Sequence, residues 1–247
     1  MSSIICKSLE NLQWNLADQE SIDFESQIRI HRIYIPQYLG AISSLFKLLD
    51  AAEQKRANNY HQLKDSQRFI IARSILKILV SKYLNCQAKD VCIKVGVNKK
   101  PYIFTNSSVS LEYNISHSGN WIVVAFANEA IGVDVEQIQA SFNFESLLTA
   151  CFSNTEQTYI QNNTNSRELF YRLWTRKESF VKATSKGLDD SLSQLTCLDG
   201  KWDLLNEPNL DQEWENWSFV LDHDHVGSIC FKAGKKNILF LEQDIAN

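Results

Sequence analysis

An α+β fold is predicted, and three features of the chain predict it. Segments that alternate apolar and polar residues, the period of a half-buried strand, sit beside segments with apolar residues three and four apart, the period of a helix lying on a core. The two kinds come in groups, helix-helix-strand-strand-strand and then helix-helix-strands, rather than in βαβ alternation. A short polar break at Asn128 and Glu129 divides the 247 residues into two stretches of similar size, 1–129 and 130–247.

The elements follow in order. Residues 27–35 (QIRIHRIYI) alternate as a strand does. Residues 41–58 carry Leu45, Leu48, Leu49 and Ala52 at helical spacing and end in the polar run EQKRANNYH. Asp65 precedes a second helical pattern, with Phe69, Ala72, Leu76, Leu79, Val80 and Tyr83 on one side, and reads as its N-cap. Residues 91–97 (VCIKVGV) alternate as a strand, and Asn98, Lys99, Lys100 and Pro101 break it. Residues 121–127 (WIVVAFA) are apolar and β-prone, which suits a central strand, and 131–138 (IGVDVEQI) form another. Helical patterns cover 144–152 and 167–184, with Gly187 placed to stop the second. The tail has strand-like runs at 218–221, 227–232 and 238–241, and its Trp202, Trp214 and Trp217 are assigned to a core rather than a lid.

Composition narrows the function. The chain is 44% hydrophobic and 22% charged, with only 8 Gly and 3 Pro, so little of it reads as linker. A net charge of −4 argues against nucleic acid as a partner, because a phosphate backbone needs a concentrated positive face. It leaves room for a local basic pocket that takes one small anion. The six cysteines are scattered without CxxC spacing, which suits reduced, mostly buried thiols better than zinc or a disulfide framework. The N-terminal residues lack the apolar core of a signal peptide, and no run approaches the length of a membrane span. The expectation is a soluble cytoplasmic protein.

Three groups of residues carry chemistry. Asp134 and Glu136 are two apart on a strand, so both carboxylates leave one face and Val135 the other. Like charges there repel unless a cation sits between them, and Mg²⁺ is bound by a few carboxylates with phosphates and waters. A solvated strand edge carries the same DxE pattern. Glu178, Lys182 and Lys186 are four apart on the helix WTRKESFVKATSKGL, one turn after Trp174. They read either as surface ion pairs or as a third metal ligand with lysines facing a polyphosphate. In NISHSG, residues 114–119, a His between two serines with Gly behind suits a turn that presents its backbone to a ligand. It equally describes a satisfied polar residue. Ser116 lacks a nucleophile-elbow context. His223 and His225 are assigned to a turn.

KKPY at 99–102, NISHSG, IGVDVE at 131–136 and WTRKESFVKATSKGL, in that order and spacing, resemble the Sfp-type 4′-phosphopantetheinyl transferases. The match runs over roughly residues 50–192. The resemblance implies two similar α+β halves related by a pseudo-twofold, with coenzyme A in the cleft between them. It implies Asp134, Glu136 and Glu178 as Mg²⁺ ligands, and Lys100, Ser116 and His117 beside the coenzyme A phosphates. It also implies Arg56 on the nucleotide 3′-phosphate and Lys182 facing the pyrophosphate. The implied reaction moves the phosphopantetheine arm to a serine of an apo carrier protein and releases 3′,5′-ADP. Carriers of fatty-acid, polyketide or peptide synthesis are all candidates, and internal pseudo-symmetry suggests a monomer. The proton acceptor is Glu178 or a water on the metal, and a carboxylate beside a cation is a weakened base.

Two positions depart from the family pattern. Lys99 stands where the family commonly has Gly, and Glu53 where a basic residue often precedes Arg56 by one turn, with Lys55 as a substitute. Arg68 and Arg73 are candidates for ligand contact or for surface charge. Two rival readings use the same parts: a non-catalytic module that holds coenzyme A or a carrier, and a different Mg²⁺-dependent nucleotide transferase.

Overall fold

The computed structural model describes residues 2–17, 23–96, 100–105, 110–185, 190–204, 212–234 and 236–243. In chain order the strands and helices are β1 Ser3–Ser8, β2 Asn15–Leu16, β3 Gln27–Tyr34, α1 Ile35–Tyr38, α2 Ile42–Phe46, α3 Ala51–Asn58 and α4 Leu63–Leu84. Then come β4 Cys92–Val95, β5 Pro101–Phe104, β6 Glu112–Ser118, β7 Trp121–Ala127, β8 Ile131–Gln137, α5 Glu145–Cys151, α6 Asn154–Gln161 and α7 Ser166–Thr184. The chain ends with β9 Gly200–Asp203, β10 Glu213–Asp222, β11 His225–Lys232 and β12 Asn237–Glu242.

One five-stranded sheet runs β8-β11-β10-β1-β9, a second runs β2-β12-β3-β7-β6, and β4 and β5 form a hairpin. Side-chain alternation explains how they stack. Ile122, Val124 and Phe126 of β7 face α4, while Val123 and Ala125 face the other sheet. On β8, Ile131, Val133 and Val135 meet them there, with Phe219, Ile229 and Phe231. The far face of that sheet, with Ile4, Cys6 and Trp214, packs under Phe170, Leu173 and Phe180 of α7. The order of layers is helix, sheet, sheet, helix. The chain passes from one sheet to the other between β7 and β8, where the polar break falls. Both ends cross back: β1 pairs with β10, and β12 pairs with β3.

Several expectations need correction. The helix expected over 41–58 is two helices, because Asp50 caps α3 instead of continuing α2. Its carboxylate accepts the Glu53 N–H at 2.8 Å while Glu53 accepts the Asp50 N–H at 3.0 Å, a reciprocal capping box. Asp65 is not the cap of α4: the helix starts two residues earlier at Leu63, and Asp65 pairs with Arg68 at 2.8 Å. NISHSG is not a turn but the body of β6, and only Gly119, at φ +54°, turns. Gly187 and Lys186 fall outside the described residues. Helix α7 ends at Thr184, with Ser185 in the left-handed region at φ 58°. Strands β1, β2, β5 and β9 and helix α6 were not anticipated. Trp214 is buried in the core, with Trp202 packed against it, as assigned. All six cysteines are free, three of them buried. Among the described residues no helix is long and apolar enough to cross a membrane.

Candidate active site

The pattern Ile-Gly-Val-Asp-Val-Glu of β8 is read differently on its two faces. The apolar side chains enter the core between the sheets. The other face presents Gly132, Asp134 and Glu136 to α7. A Cβ on Gly132 would lie 2.0 Å from the Ser179 carbonyl oxygen, so only glycine lets the helix come this close. That approach brings Glu178 and Lys182, one helical turn apart, over the two strand acids. The Lys182 ammonium donates to Asp134 Oδ1 at 2.6 Å, to Ser116 Oγ at 3.1 Å and to the Val133 carbonyl at 3.2 Å.

These groups line a cavity of about 640 Å³ whose opposite wall comes from the other half of the chain. Arg56 of α3, Arg68 and Arg73 of α4, and Tyr113 and His117 of β6 form that wall. Arg56 lies over the Phe69 ring, 4.7 Å from its centroid. Arg73 pairs with Glu53 at 3.3 Å, and its Nη1 is buried without a partner. Glu53, the acid in place of a basic residue, spends its charge on Arg73 and on Lys77 at 2.8 Å. The structure thus answers the question left open for Arg68 and Arg73: both face the cavity.

Lys100 stands apart from its expected neighbours. It is not among the residues that line the cavity, and its ammonium donates to the Lys182 carbonyl at 3.1 Å, near the C-terminal end of α7. There it meets the negative end of the helix dipole. Burial lowers its pKa, against the nearby Glu112 carboxylate. Lys99 lies outside the described residues.

The charges of the site are unbalanced. Glu178 is pushed up to about 7, by burial first and then by Asp134, with Lys182 opposing and Glu136 adding. Glu136 is raised by burial and by Asp134. Burial lowers His117, and Arg68 lowers it further, so the ring favours its neutral form. Asp134 Oδ2 is buried without a hydrogen-bond partner. A divalent cation fits this set: it would satisfy the orphaned oxygen and relieve the repulsion that adds to burial in raising the two glutamates. The three carboxylates do not bring one oxygen each within 4.8 Å of the others. Among the described residues the only group that does is Asp222, His223 and Asp224, at the β10–β11 turn. Of the two histidines assigned to that turn only His223 lies in it, because His225 opens β11, buried, with its Nδ1 2.8 Å from Asp222 Oδ1. Asp134 instead holds Lys182, and Mg²⁺ commonly needs only one or two protein carboxylates beside phosphates and water.

Two contributors escaped the sequence reading. Asn114 and Ser118 flank Ser116 on the same face of β6 and bind the edge of β8. Their signal is present as the alternation N-x-S-x-S, but a turn assignment hides it.

Comparison with known proteins follows this division. Residues 38–129 match the model of the N-terminal part of 4′-phosphopantetheinyl transferases, and residues 130–233 match that of the 4′-phosphopantetheinyl transferase superfamily. The second match extends past residue 192 into the tail. A putative 4′-phosphopantetheinyl transferase of Synechocystis sp. is 32% identical over 151 residues, 60% of this chain and 61% of that protein. The transferase HetI of Nostoc sp. is 28% identical over 66% of this chain and 70% of its own length. The transferase Sfp of Bacillus subtilis is 25% identical over 70% of this chain and 79% of its own length. With the two models meeting at residues 129 and 130 and together spanning most of its length, the chain belongs to the 4′-phosphopantetheinyl transferases of the Sfp type.

Proposed function

We propose that the protein transfers the 4′-phosphopantetheine group of coenzyme A to a serine of an apo carrier protein, with Mg²⁺ as cofactor, and releases 3′,5′-ADP. One observation carries this reading: a single cavity has an arginine-lined wall from one half and a carboxylate-lysine wall from the other. That is the pairing a polyphosphate substrate and a cation require. The cavity volume of about 640 Å³ lies in the range of small-molecule sites.

Each residue then has a task. Arg56, with Arg68 and Arg73 beside it, holds the nucleotide end, and His117 and Ser116 sit next to the phosphates. Asp134, Glu136 and Glu178 would hold Mg²⁺, which would supply positive charge against the anionic pyrophosphate. Lys182 shifts from Asp134 toward the bridging oxygen that leaves with 3′,5′-ADP. Lys100, which donates to the Lys182 carbonyl and does not line the cavity, would have to swing from the end of α7 to meet those phosphates. The serine oxygen attacks the β-phosphorus, the bond to the bridging oxygen breaks, and the serine proton passes to Glu178. Without a cation beside it the Glu178 carboxyl titrates near neutral pH, which suits that role; a directly bound cation would weaken it as a base, and a water in the site would then take the proton. The two helix-on-sheet halves support the reading of a pseudo-twofold with coenzyme A in the cleft between them. A cytoplasmic monomer acting on acyl, peptidyl or polyketide carriers completes the proposal.

The test is incubation with coenzyme A, Mg²⁺ and a panel of apo carriers, followed by mass spectrometry of the carrier. A gain of one phosphopantetheine arm on serine, abolished by EDTA, is the expected result. No gain on any carrier, with coenzyme A still bound, would leave a binding module in place of an enzyme.

A further inference from the structure

The two acids of β8 are held by a strand of the other half, through side chains that stand in for a backbone. β6 and β8 are edge strands of different sheets. An edge leaves a row of backbone N–H groups without strand partners. Three of those on β8 are taken by alternate side chains of β6. The Val133 N–H donates to Asn114 Oδ1 at 2.9 Å, the Val135 N–H to Ser116 Oγ at 3.4 Å, and the Gln137 N–H to Ser118 Oγ at 3.0 Å. The offset is 19 residues each time.

A hydroxyl oxygen that accepts from the backbone must aim its own proton elsewhere. Ser116 aims it at Asp134 Oδ1, at 2.8 Å, and Ser118 at Glu136 Oε2, at 2.9 Å. Serine therefore stands opposite each carboxylate, while asparagine stands opposite Gly132, where there is no carboxylate to receive a proton. One small side chain fixes both the strand backbone and the acid on it. Glu136 needs this most, because it is only half-buried and longer by a methylene than Asp134.

We propose that Ser118 is a positioning residue for Glu136 and that Asn114, Ser116 and Ser118 form one register device, so that docking of the two halves places the metal-binding acids. This rests on the reading of those acids as Mg²⁺ ligands. A group behind a metal ligand typically contributes about 10- to 100-fold in metal affinity.

The experiment titrates Mn²⁺ into the metal-free full-length protein with coenzyme A bound, followed by electron paramagnetic resonance of the free ion. Ser118→Ala should bind Mn²⁺ about tenfold or more weakly, with coenzyme A affinity in EDTA and thermal stability held. Ser118→Thr, which keeps the hydroxyl, should restore Mn²⁺ affinity. Wild-type Mn²⁺ affinity in folded Ser118→Ala overturns the inference and leaves the metal reading intact. Absence of Mn²⁺ binding by the wild type overturns the metal reading and this inference with it. Should Ser118→Ala not fold, Ser118→Cys takes its place, since a thiol is a poor donor of similar size. Equal Mn²⁺ affinity of the Cys and Thr variants then overturns the inference.

Discussion

Helix α7 carries two lysine-carboxylate pairs five positions apart, and they have opposite characters. Lys182 and Asp134 meet at 2.6 Å on the cavity wall, where the lysine side chain is 28% exposed. Lys177 and Glu156 meet at 2.9 Å with both side chains at 0% exposure. Everything in the second pair is saturated. Lys177 also donates to the Leu192 carbonyl at 2.8 Å and to that of Leu195, and Glu156 accepts the Cys197 N–H at 2.8 Å and the Ser153 N–H at 2.8 Å. Beside it Arg176 holds the Cys197 carbonyl at 2.6 Å and Asp199 at 2.5 Å. This pair ties the segment 192–199 to the helix. The first pair leaves Asp134 Oδ2 without a partner. An ion pair that satisfies every donor and acceptor belongs to the fold; one that leaves an oxygen free is open to a ligand.

The largest effect expected is on the saturated pair. Glu156→Ala strands the Lys177 ammonium in a dry core, and breaking such a pair costs about 3–5 kcal/mol. Denaturant unfolding should show a midpoint displaced accordingly, and activity should vanish through loss of folded protein. A melting curve like the wild type would erase the contrast between the two pairs. Glu178→Gln should do the reverse. It removes a charge from a repelling cluster, so the fold should be kept, while turnover falls by about 10²–10⁴ if Glu178 accepts the serine proton. Equal losses of stability in both variants would mean that the two faces of α7 are not distinct.

How much of this could be read from the sequence depends on the element. The acids of β8 and α7 were legible because their spacing is local: two residues on a strand and four on a helix fix a common face. Arg68 and Arg73 were not, because α4 is buried along much of its length and only its packing says which side meets the cavity. The break between α2 and α3 was missed because the helical spacing of Leu45, Leu48, Leu49 and Ala52 runs through it, and Asp50 was not recognised as a cap. The turn assigned to NISHSG failed for a different reason. Its polar residues alternate because β6 sits at a sheet edge with one side turned to another edge, and such a side reads as a loop. The strand exchange of β1 and β12 is a long-range pairing that no local pattern encodes.

A smaller effect is expected from the arginine wall. Arg73→Gln should raise KM for coenzyme A by about tenfold with kcat nearly unchanged, as loss of uniform binding does. Dephospho-coenzyme A, lacking the 3′-phosphate, shows whether the arginine reads that group: the variant should lose discrimination between the two. If kcat falls as steeply as kcat/KM, Arg73 acts on the reacting centre and the division of the cavity into a binding wall and a reacting wall fails.

The subtlest expectation is a pair of pH slopes with opposite signs. Glu178 titrates at about 7 in the folded protein, above its ordinary 4.5. Between these values the folded state keeps a proton that the unfolded chain has lost. Its contribution to the stability of the metal-free protein is therefore full below the lower value and lost as pH rises through the upper one. Glu136, also raised, adds the same sign. A cation needs the ionised carboxylate, so its affinity must fall as pH drops through the same window. Thermal melts in EDTA from about pH 5 to pH 8 should show stability declining as pH rises, while Mn²⁺ titrations over that range show binding strengthening. Glu178→Gln should flatten both slopes, and titrations elsewhere in the chain cancel in the difference from wild type. A metal affinity independent of pH in the wild type would place the cation away from Glu178 and return that residue to the wall of the cavity.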